Sequence, residues 1–280
     1  MEKHIGKREL RGFEDHLRRE ERERGTIEKY LRDVGRFAAW LDGRALSKEL
    51  AVAWKEGLAA AGYAPATINS MVVAVNQFFR FQGWEELRVK TMRIQRRIFR
   101  SRDRELTKEE YVRLLETARA QGKERLGLLM EAMCATGIRV SEVRYITVEA
   151  ARQGRAEIAM KGKIRTILLP GKLCRKLLKY AKKQKIGSGE IFLTRTGKGL
   201  SRRQIWAEMK AICKQAGVSP SKVFPHNLRH LFARTFYRVC RDVVQLSDVL
   251  GHSSVETTRI YLASTGDEYV RRMNRLGLIS

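Results

Sequence analysis

The sequence predicts a mainly α-helical protein with one small antiparallel β-sheet, built from two domains. Its length of 280 residues suits two domains of ordinary size, each with a hydrophobic core of its own. The first third of the chain repeats apolar residues at the three- and four-residue spacing of helices. Further on, two short segments, residues 155–160 and 164–169, flank a Lys-Gly-Lys turn, which is typical of a β-hairpin.

Four helices are expected in the first domain, which we place at residues 1–93. The first helix is dense in both charges, so most of its surface should be solvated. The third is expected to end at Gly62, and the fourth to follow Pro65. These helices are expected at residues 8–23, 26–41, 50–61 and 67–79.

The chain between the domains is strongly basic. From Arg88 to Arg104 the helical periodicity weakens, and Asp103 is the single acidic residue among eight cations. A linker that only had to be soluble would not need such an excess of one sign, so we expect this segment to lie along phosphates. We place the linker at residues 94–104, and the expected phosphate contacts are Arg93, Arg96, Arg97 and Arg100.

The second domain, residues 105–280, is expected to combine helices with the hairpin. Thr107 and Glu110 have the spacing of a capping box, which starts a helix. A segment rich in Leu and Met then continues in helical form to Gly137, and the hairpin follows with Gly162 at its tip. The remainder is expected to be helical, with breaks at residues 187–189, 197–199, 217–220 and 251.

The composition indicates an anionic partner. The net charge is +26, because 57 Lys and Arg residues face 31 Asp and Glu residues, and the excess is spread along the chain. Nucleic acid matches this pattern better than a membrane surface does, and the alternative is a basic surface without a partner. No apolar stretch is long enough to span a bilayer, and the amino terminus lacks the apolar core of a secretory signal. A cytoplasmic protein is therefore expected.

The four cysteines predict neither a metal site nor a reactive centre. They lie far apart, without the short paired spacing of zinc ligands, so no metal or other cofactor is expected. Buried free thiols in a reducing cytoplasm are the better interpretation. Cys134 lies shortly before Arg139, but its neighbours Met133 and Ala135 indicate a packed helix rather than a nucleophile.

A set of arginine, histidine and tyrosine residues fits chemistry on a phosphodiester. Arginine binds phosphate oxygens in bidentate fashion, histidine moves protons near neutral pH, and a tyrosine hydroxyl can attack phosphorus. Strand cleavage builds charge that preorganised cations must absorb, and the leaving oxygen needs a proton. Glu142 is close enough in sequence to orient Arg139 by charge pairing. The candidate residues are Arg139, His226, Arg229, His252 and Tyr261.

The strings around these residues resemble the boxes of the tyrosine recombinase (phage-type integrase) family. The resemblance is strongest from Leu106 to Ala263 and weaker over the first domain. It implies a helical core-binding domain of the SAM-like type, followed by an α+β catalytic domain. The matching strings are residues 135–143, the His-x-x-Arg box at residues 226–229, and residues 250–261.

The resemblance also implies a role for each candidate. Tyr261 would attack the phosphate and form a 3′-phosphotyrosyl link, while His226 acts as the base and Lys161 protonates the departing 5′-oxygen. Tyr269 is a nearby rival nucleophile, but it lies too far along the chain to fit the last box. The pentavalent state would be stabilised by Arg139, Arg229 and His252.

Two of these assignments keep a close competitor. His230, one helical turn after His226, is expected to have a structural role, because the family's box places the acting histidine first. Lys163 can replace Lys161 as the acid, because this hairpin turn looks one residue shorter than the family's usual version, and Lys163 is also expected to contact DNA. The chain departs from the family at Leu231 and Arg234, where small residues are usual.

As a whole, the resemblance implies an Xer-like recombinase with two domains that clamp double-stranded DNA. A homotetramer would hold two sites and exchange strands through a Holliday junction, without metal or ATP. Residues 267–280 carry an apolar stripe at helical spacing. We expect this tail to dock on the neighbouring protomer, although packing against its own domain is the plainer alternative.

Two other functions stay open at this point. A type IB topoisomerase uses similar groups to nick and reseal one duplex, and a DNA-binding regulator could have lost catalysis. The close match of the motifs to recombinase motifs argues against a topoisomerase. The complete set of reactive residues argues against a regulator without catalysis. The recognised DNA site, the need for an accessory protein, and the choice between integration, excision and dimer resolution are not predicted.

Overall fold

The computed structural model describes residues 3–94, 104–160, 163–252, 254–262, 270 and 273–276. The chain divides into two compact units, residues 1–96 and 97–280. Each of them has its own hydrophobic core. Within the described residues, no helix combines the length and the apolar character needed to cross a membrane.

The first unit is all helical, as the sequence predicted. Pro65 occupies the first turn of its fourth helix, where its missing N–H costs nothing, and Ser47 caps the third through a 3.2 Å hydrogen bond from the Leu50 N–H. The core is rich in aromatic rings, with Phe37 packed between Trp54 and Phe79. The helices are α1 (Lys7–Arg19), α2 (Arg24–Leu41), α3 (Lys48–Ala60) and α4 (Pro65–Phe81), followed by a 3₁₀ turn at Glu85–Leu87.

Two asparagines of α4 bind the chain that leaves this unit. The Asn76 amide donates to the Val89 carbonyl at 2.8 Å and accepts from the Val89 N–H at 2.9 Å. Asn69 makes the same pair with Met92, at 2.9 and 2.7 Å. Seven residues of α-helix advance about 10.5 Å, and three residues of extended chain advance about 10 Å, so the two spacings match. We call this arrangement the asparagine ladder.

The second unit contains the remaining helices and the hairpin. The capping box at its first helix is present: the Thr107 N–H donates to Glu110 at 2.9 Å, and the Glu110 N–H donates to Thr107 at 3.2 Å. The helices are α5 (Lys108–Ala120), α6 (Glu124–Thr136), a 3₁₀ helix at Val140–Tyr145, α7 (Val148–Gln153), α8 (Gly171–Lys183), α9 (Arg202–Ala211), a 3₁₀ turn at Pro220–Lys222, α10 (Pro225–Cys240), α11 (Val243–Leu250) and α12 (Val255–Leu262). The strands β1 (Arg155–Met160) and β2 (Lys163–Leu168) form the predicted antiparallel pair.

The structure corrects two details of the sequence interpretation. The helical segment before Gly137 is two helices, α5 and α6, separated at residues 121–123. Cys240 is exposed at the end of α10, whereas Cys174 and Cys213 are buried as predicted. Cys134 is partly buried in α6, and burial raises the pKa of its thiol to about 12, so it is not poised as a nucleophile.

Candidate active site

The chain reverses sharply between α6 and the first candidate arginine. Gly137 has a φ of +63°, and a β-carbon at this position would overlap the ring of Phe232 and lie 2.9 Å from Leu250. Only glycine fits this turn without strain. The turn sends the chain directly into the 3₁₀ helix, with Arg139 at its entrance.

A buried carboxylate holds Arg139 in place. Glu142 is 4% exposed; one of its oxygens accepts from the Arg139 guanidinium at 2.9 Å, and the other accepts from the Arg139 backbone N–H at 2.8 Å. The Arg165 guanidinium also donates to Glu142, at 2.5 Å. Burial alone would raise the pKa of Glu142, but these hydrogen bonds and the two positive charges hold it below its ordinary value. Glu142 is therefore ionised, and it orients Arg139 as the sequence predicted.

Arg229 is the most deeply buried charge of the site. It lies on α10 and is 1% exposed. Its guanidinium donates to the carbonyl of Gly137, to the carbonyl of Leu250 at 2.8 Å, and to two side chains of the site described below. Burial lowers its pKa to about 10, which leaves it charged at neutral pH. Since these acceptors are neutral, the positive charge of Arg229 is not cancelled by a carboxylate hydrogen bond.

The geometry fixes the protonation of His252. Arg229 donates to Nε2 of His252 at 2.8 Å, and a guanidinium cannot accept a hydrogen bond, so Nε2 carries no proton. Nδ1 therefore carries the proton and donates to the Thr258 hydroxyl at 2.7 Å. Burial, and then the charges of Arg229, Arg139 and Arg165, lower the pKa of His252 to about 4. The imidazole is neutral near pH 7.

The Tyr261 side chain lies at the centre of these groups. It projects from α12, is 5% exposed, and its hydroxyl accepts from Nε of Arg229 at 3.3 Å. Three histidine rings surround the phenol, with centroid distances of 4.3 Å for His230, 5.4 Å for His252 and 5.6 Å for His226. A phenol held by a guanidinium and ringed by imidazoles can lose its proton as it attacks an electrophile.

The structure thus brings together five of the predicted residues: Arg139, His226, Arg229, His252 and Tyr261. His230, which the sequence assigned a structural role, lies closer to the Tyr261 ring than His226 does. Arg93 is exposed at the end of the first unit. The predictions for Lys161, Tyr269 and the linker residues Arg96, Arg97 and Arg100 lie outside the described residues, and so does the side chain of Lys163.

Two residues of the site were missed by the sequence analysis. Thr258 is fully buried beneath His252, and Arg165 reaches the site from β2. Strand alternation carried a signal for Arg165, because it shares a strand face with Ile167, which is buried in the core. A charged residue on the inward face of a hairpin needs a buried partner. No such signal marked Thr258.

Comparisons with known proteins agree with this fold. Residues 104–268 match the model of the phage integrase family, and residues 10–86 match the phage integrase N-terminal SAM-like domain. The tyrosine recombinase XerA of Pyrococcus furiosus is 28% identical, covering 99% of this chain and 97% of its own. The tyrosine recombinase XerC of Roseiflexus castenholzii is 31% identical, covering 84% and 82% respectively.

Solved structures show the same fold. XerH bound to its difH substrate in a pre-cleavage complex has a TM-score of 0.68 at 20% identity, covering 95% of this chain and 84% of that one. A lambda integrase tetramer bound to a Holliday junction has a TM-score of 0.72 at 19% identity, covering 90% and 76%. The chain belongs to the phage integrase family, the tyrosine recombinases. Membership of this family defines a site-specific DNA recombinase, an enzyme that transfers DNA strands.

Proposed function

We propose that this recombinase cuts duplex DNA with Tyr261, forming a 3′-phosphotyrosyl link and a free 5′-hydroxyl. The observation that supports the proposal most strongly is the position of the Tyr261 hydroxyl. It is hydrogen-bonded to Arg229, a buried cation that donates its other hydrogen bonds to neutral acceptors. A phosphate placed beside this hydroxyl would meet uncancelled positive charge, which favours both binding and the pentavalent transition state.

Arg139, Arg229 and His252 are the groups that would stabilise that state. They come from three different elements and are joined around the turn after α11: Arg139 reaches the Gly251 carbonyl at 3.4 Å, and Arg229 reaches His252 at 2.8 Å. Because the site is preorganised, little rearrangement is needed when charge develops on the equatorial oxygens. To donate a hydrogen bond to a phosphate oxygen, Nε2 of His252 would first have to gain a proton, which the negative charge of a bound phosphate would favour.

Proton transfer is assigned to two further groups. His226 would act as the base that takes the Tyr261 proton, and Lys161 would protonate the departing 5′-oxygen, with Lys163 as the alternative. His230 is the competitor for the role of base, since its ring lies 4.3 Å from that of Tyr261. Single His226→Gln and His230→Gln variants separate the two histidines. The acting base is the one whose loss lowers the cleavage rate and removes the acid limb of the pH–rate profile.

Strand exchange would follow without metal or ATP. The phosphotyrosyl link conserves the energy of the phosphodiester, and the 5′-hydroxyl of a partner duplex reverses the first step. Arginines occupy the role that a metal ion would otherwise fill in stabilising phosphate charge. The partner is double-stranded DNA, and the active form is a homotetramer on two sites in the cytoplasm. By analogy, XerH bound to its difH substrate supports the DNA partner, and the lambda integrase tetramer bound to a Holliday junction supports the assembly.

Both ends of the proposed DNA clamp have support in the described residues. The helical first unit, the SAM-like domain, would cover one face of the duplex, and the exposed Arg93 lies directly before the basic linker. In the tail, Val270, Met273 and Leu276 are each more than half exposed. Exposed apolar side chains at helical spacing fit docking on a neighbouring protomer.

Trapping on a nicked suicide duplex tests the proposal. Wild-type protein should form a covalent protein–DNA adduct, and Tyr261→Phe should form none while binding a single site within about threefold of wild type, since only one hydroxyl is removed. Tyr269→Phe is the matched control and should react normally. An adduct from Tyr261→Phe would contradict the assignment. Relaxation of supercoiled DNA without recombination on any pair of sites would favour the topoisomerase alternative instead.

A further inference from the structure

Arg165 takes a central place in the site without a role in the reaction described above. It lies on β2 opposite Ile158 of β1, and its side chain is 15% exposed. One terminal nitrogen donates to Glu142 at 2.5 Å, and the other donates to the carbonyl of Leu250. Arg165 therefore links three separate pieces of the unit: the hairpin, the 3₁₀ helix and the turn after α11.

That turn is shaped around the Arg165 side chain. Gly251 has a φ of +60°, and a β-carbon at this position would overlap both the guanidinium and the Cδ of Arg165. Glycine is thus required twice, once for the backbone conformation and once for the space that Arg165 fills. The next residue is His252, so the position of Arg165 determines where the His252 side chain leaves the backbone.

Arg165 also shares its acceptors with the catalytic arginines. The Leu250 carbonyl accepts from Arg229 as well as Arg165, and Glu142 accepts from Arg139 as well as Arg165. The Arg165 side chain is 15% exposed, with both terminal nitrogens donating to protein oxygens, whereas the Arg139 side chain is 39% exposed. A guanidinium used in this way braces its neighbours and is poorly placed to cradle a phosphate.

We propose that Arg165 is a positioning residue for the recombination reaction: it braces Glu142 against the turn after α11 and so fixes how Arg139, Arg229 and His252 face the scissile phosphate. This inference rests on the proposed function, because it assumes that those three groups stabilise the transition state. Small displacements of such groups are costly: a misplacement of about 1 Å can lower a rate by about 100-fold.

The first test compares Arg165→Gln with Arg155→Gln in single-turnover cleavage of the suicide duplex. Arg155 is the matched control, because it lies on the same hairpin with a side chain 58% exposed. Arg165→Gln should cleave about 100-fold more slowly with single-site binding within about threefold of wild type, and Arg155→Gln should cleave at the wild-type rate. Equal rates for wild type and Arg165→Gln would overturn the inference. Failure of the wild type to cleave would instead count against the proposed function.

A spectroscopic readout separates positioning from a general loss of structure. The groups whose charge acts on His252 are Arg229 and His226 on α10, Arg139 at the entrance of the 3₁₀ helix, and Arg165 on β2, and the Tyr261 ring of α12 stacks against the imidazole. Removing the Arg165 charge should raise the pKa of the His252 imidazole in an NMR titration, and Arg155→Gln should leave it unchanged. If Arg165→Gln does not fold, Arg165→Lys gives the same comparison with a smaller loss of rate, because one ammonium lacks the planar fork that reaches both acceptors.

A double-mutant cycle tests the shared space directly. Gly251→Ala should slow cleavage strongly in the wild-type background, because the new methyl group displaces Arg165. In an Arg165→Ala background the same change should cost clearly less, since the overlap is gone and only the backbone strain remains. Equal cost in both backgrounds would show that Arg165 does not brace this turn, and would overturn the inference.

Discussion

The two units of this recombinase bury different kinds of side chain. In the described part of the first unit, Asp33 is the single buried polar or charged residue, and the core is filled by aromatic and aliphatic groups. The second unit buries seven such residues among those described, and most of them lie in or beside the site. These are Thr136, Glu142, Asn227, Arg229, His230, Ser247 and Thr258.

The buried charges of the two units are also compensated differently. Asp33 is neutralised within its own helix by Lys29 at 2.9 Å and Arg32 at 3.2 Å. Arg229 has carbonyl, imidazole and phenol acceptors in place of a carboxylate. A buried charge without a counter-ion is expensive, so a fold retains it where something else gains from it. The buried charge of the first unit is thus neutralised within the fold, whereas the second unit keeps a positive charge available to an anion.

The largest effect is expected from a substitution in the core of the first unit. Phe37 is fully buried, with its ring centroid 4.9 Å from that of Trp54. Phe37→Ala should lower the free energy of unfolding of this unit by about 3–5 kcal/mol. Hydrogen exchange should show reduced protection within residues 3–94 and unchanged protection around α6 and α10. Val73→Ala, at a position 44% exposed on α4, is the control. Loss of protection in both units would mean that they do not fold independently.

An effect of intermediate size concerns the second unit and pH. His252 has a folded-state pKa of about 4, below its ordinary value of 6.5, so the unfolded chain binds the proton first. Its contribution to stability is complete above pH 6.5 and is lost as the pH falls toward 4. Urea unfolding should show that the free energy of unfolding falls more between about pH 7 and about pH 5 for the wild type than for His252→Asn. An equal decline for the two proteins would show that His252 is not held neutral by its surroundings.

The smallest expected effect concerns the basic linker, where the two units are joined. Replacing Arg93, Arg96 and Arg97 by Gln should weaken binding to all DNA sequences alike, because phosphate contacts carry no sequence information. The slope of log binding constant against log salt concentration should fall by about one for each arginine–phosphate interaction that is removed. Replacing Arg8, Arg11 and Arg19 of α1 by Gln gives a control of equal charge change. A slope that changes equally in both triple variants would show that only the net charge matters.

The sequence predicted those features that depend on local spacing. Helical periodicity was enough to predict the four helices of the first unit, and the boxes were enough to predict that Arg139, Arg229, His252 and Tyr261 meet. The contact of His230 with Tyr261 and the hydrogen bonds of Arg165 were not predicted in this way, because both depend on how α10 and β2 pack against α12 and the turn after α11. Spacing along a chain carries little information about such interactions between distant elements.

The asparagine ladder has a consequence for how the length of this protein can change. Asn69 and Asn76 lie seven residues apart, and their partners Met92 and Val89 lie three apart. The seven helical residues and the three extended residues span nearly the same length. One residue inserted between Asn69 and Asn76, or between Val89 and Met92, would therefore break the match, and only one of the two asparagines could keep its partner. An insertion after Met92 disturbs neither rung. A chimaera that carries the first unit onto a foreign catalytic domain should therefore be joined beyond Met92, where the chain can be lengthened without unfastening it from α4.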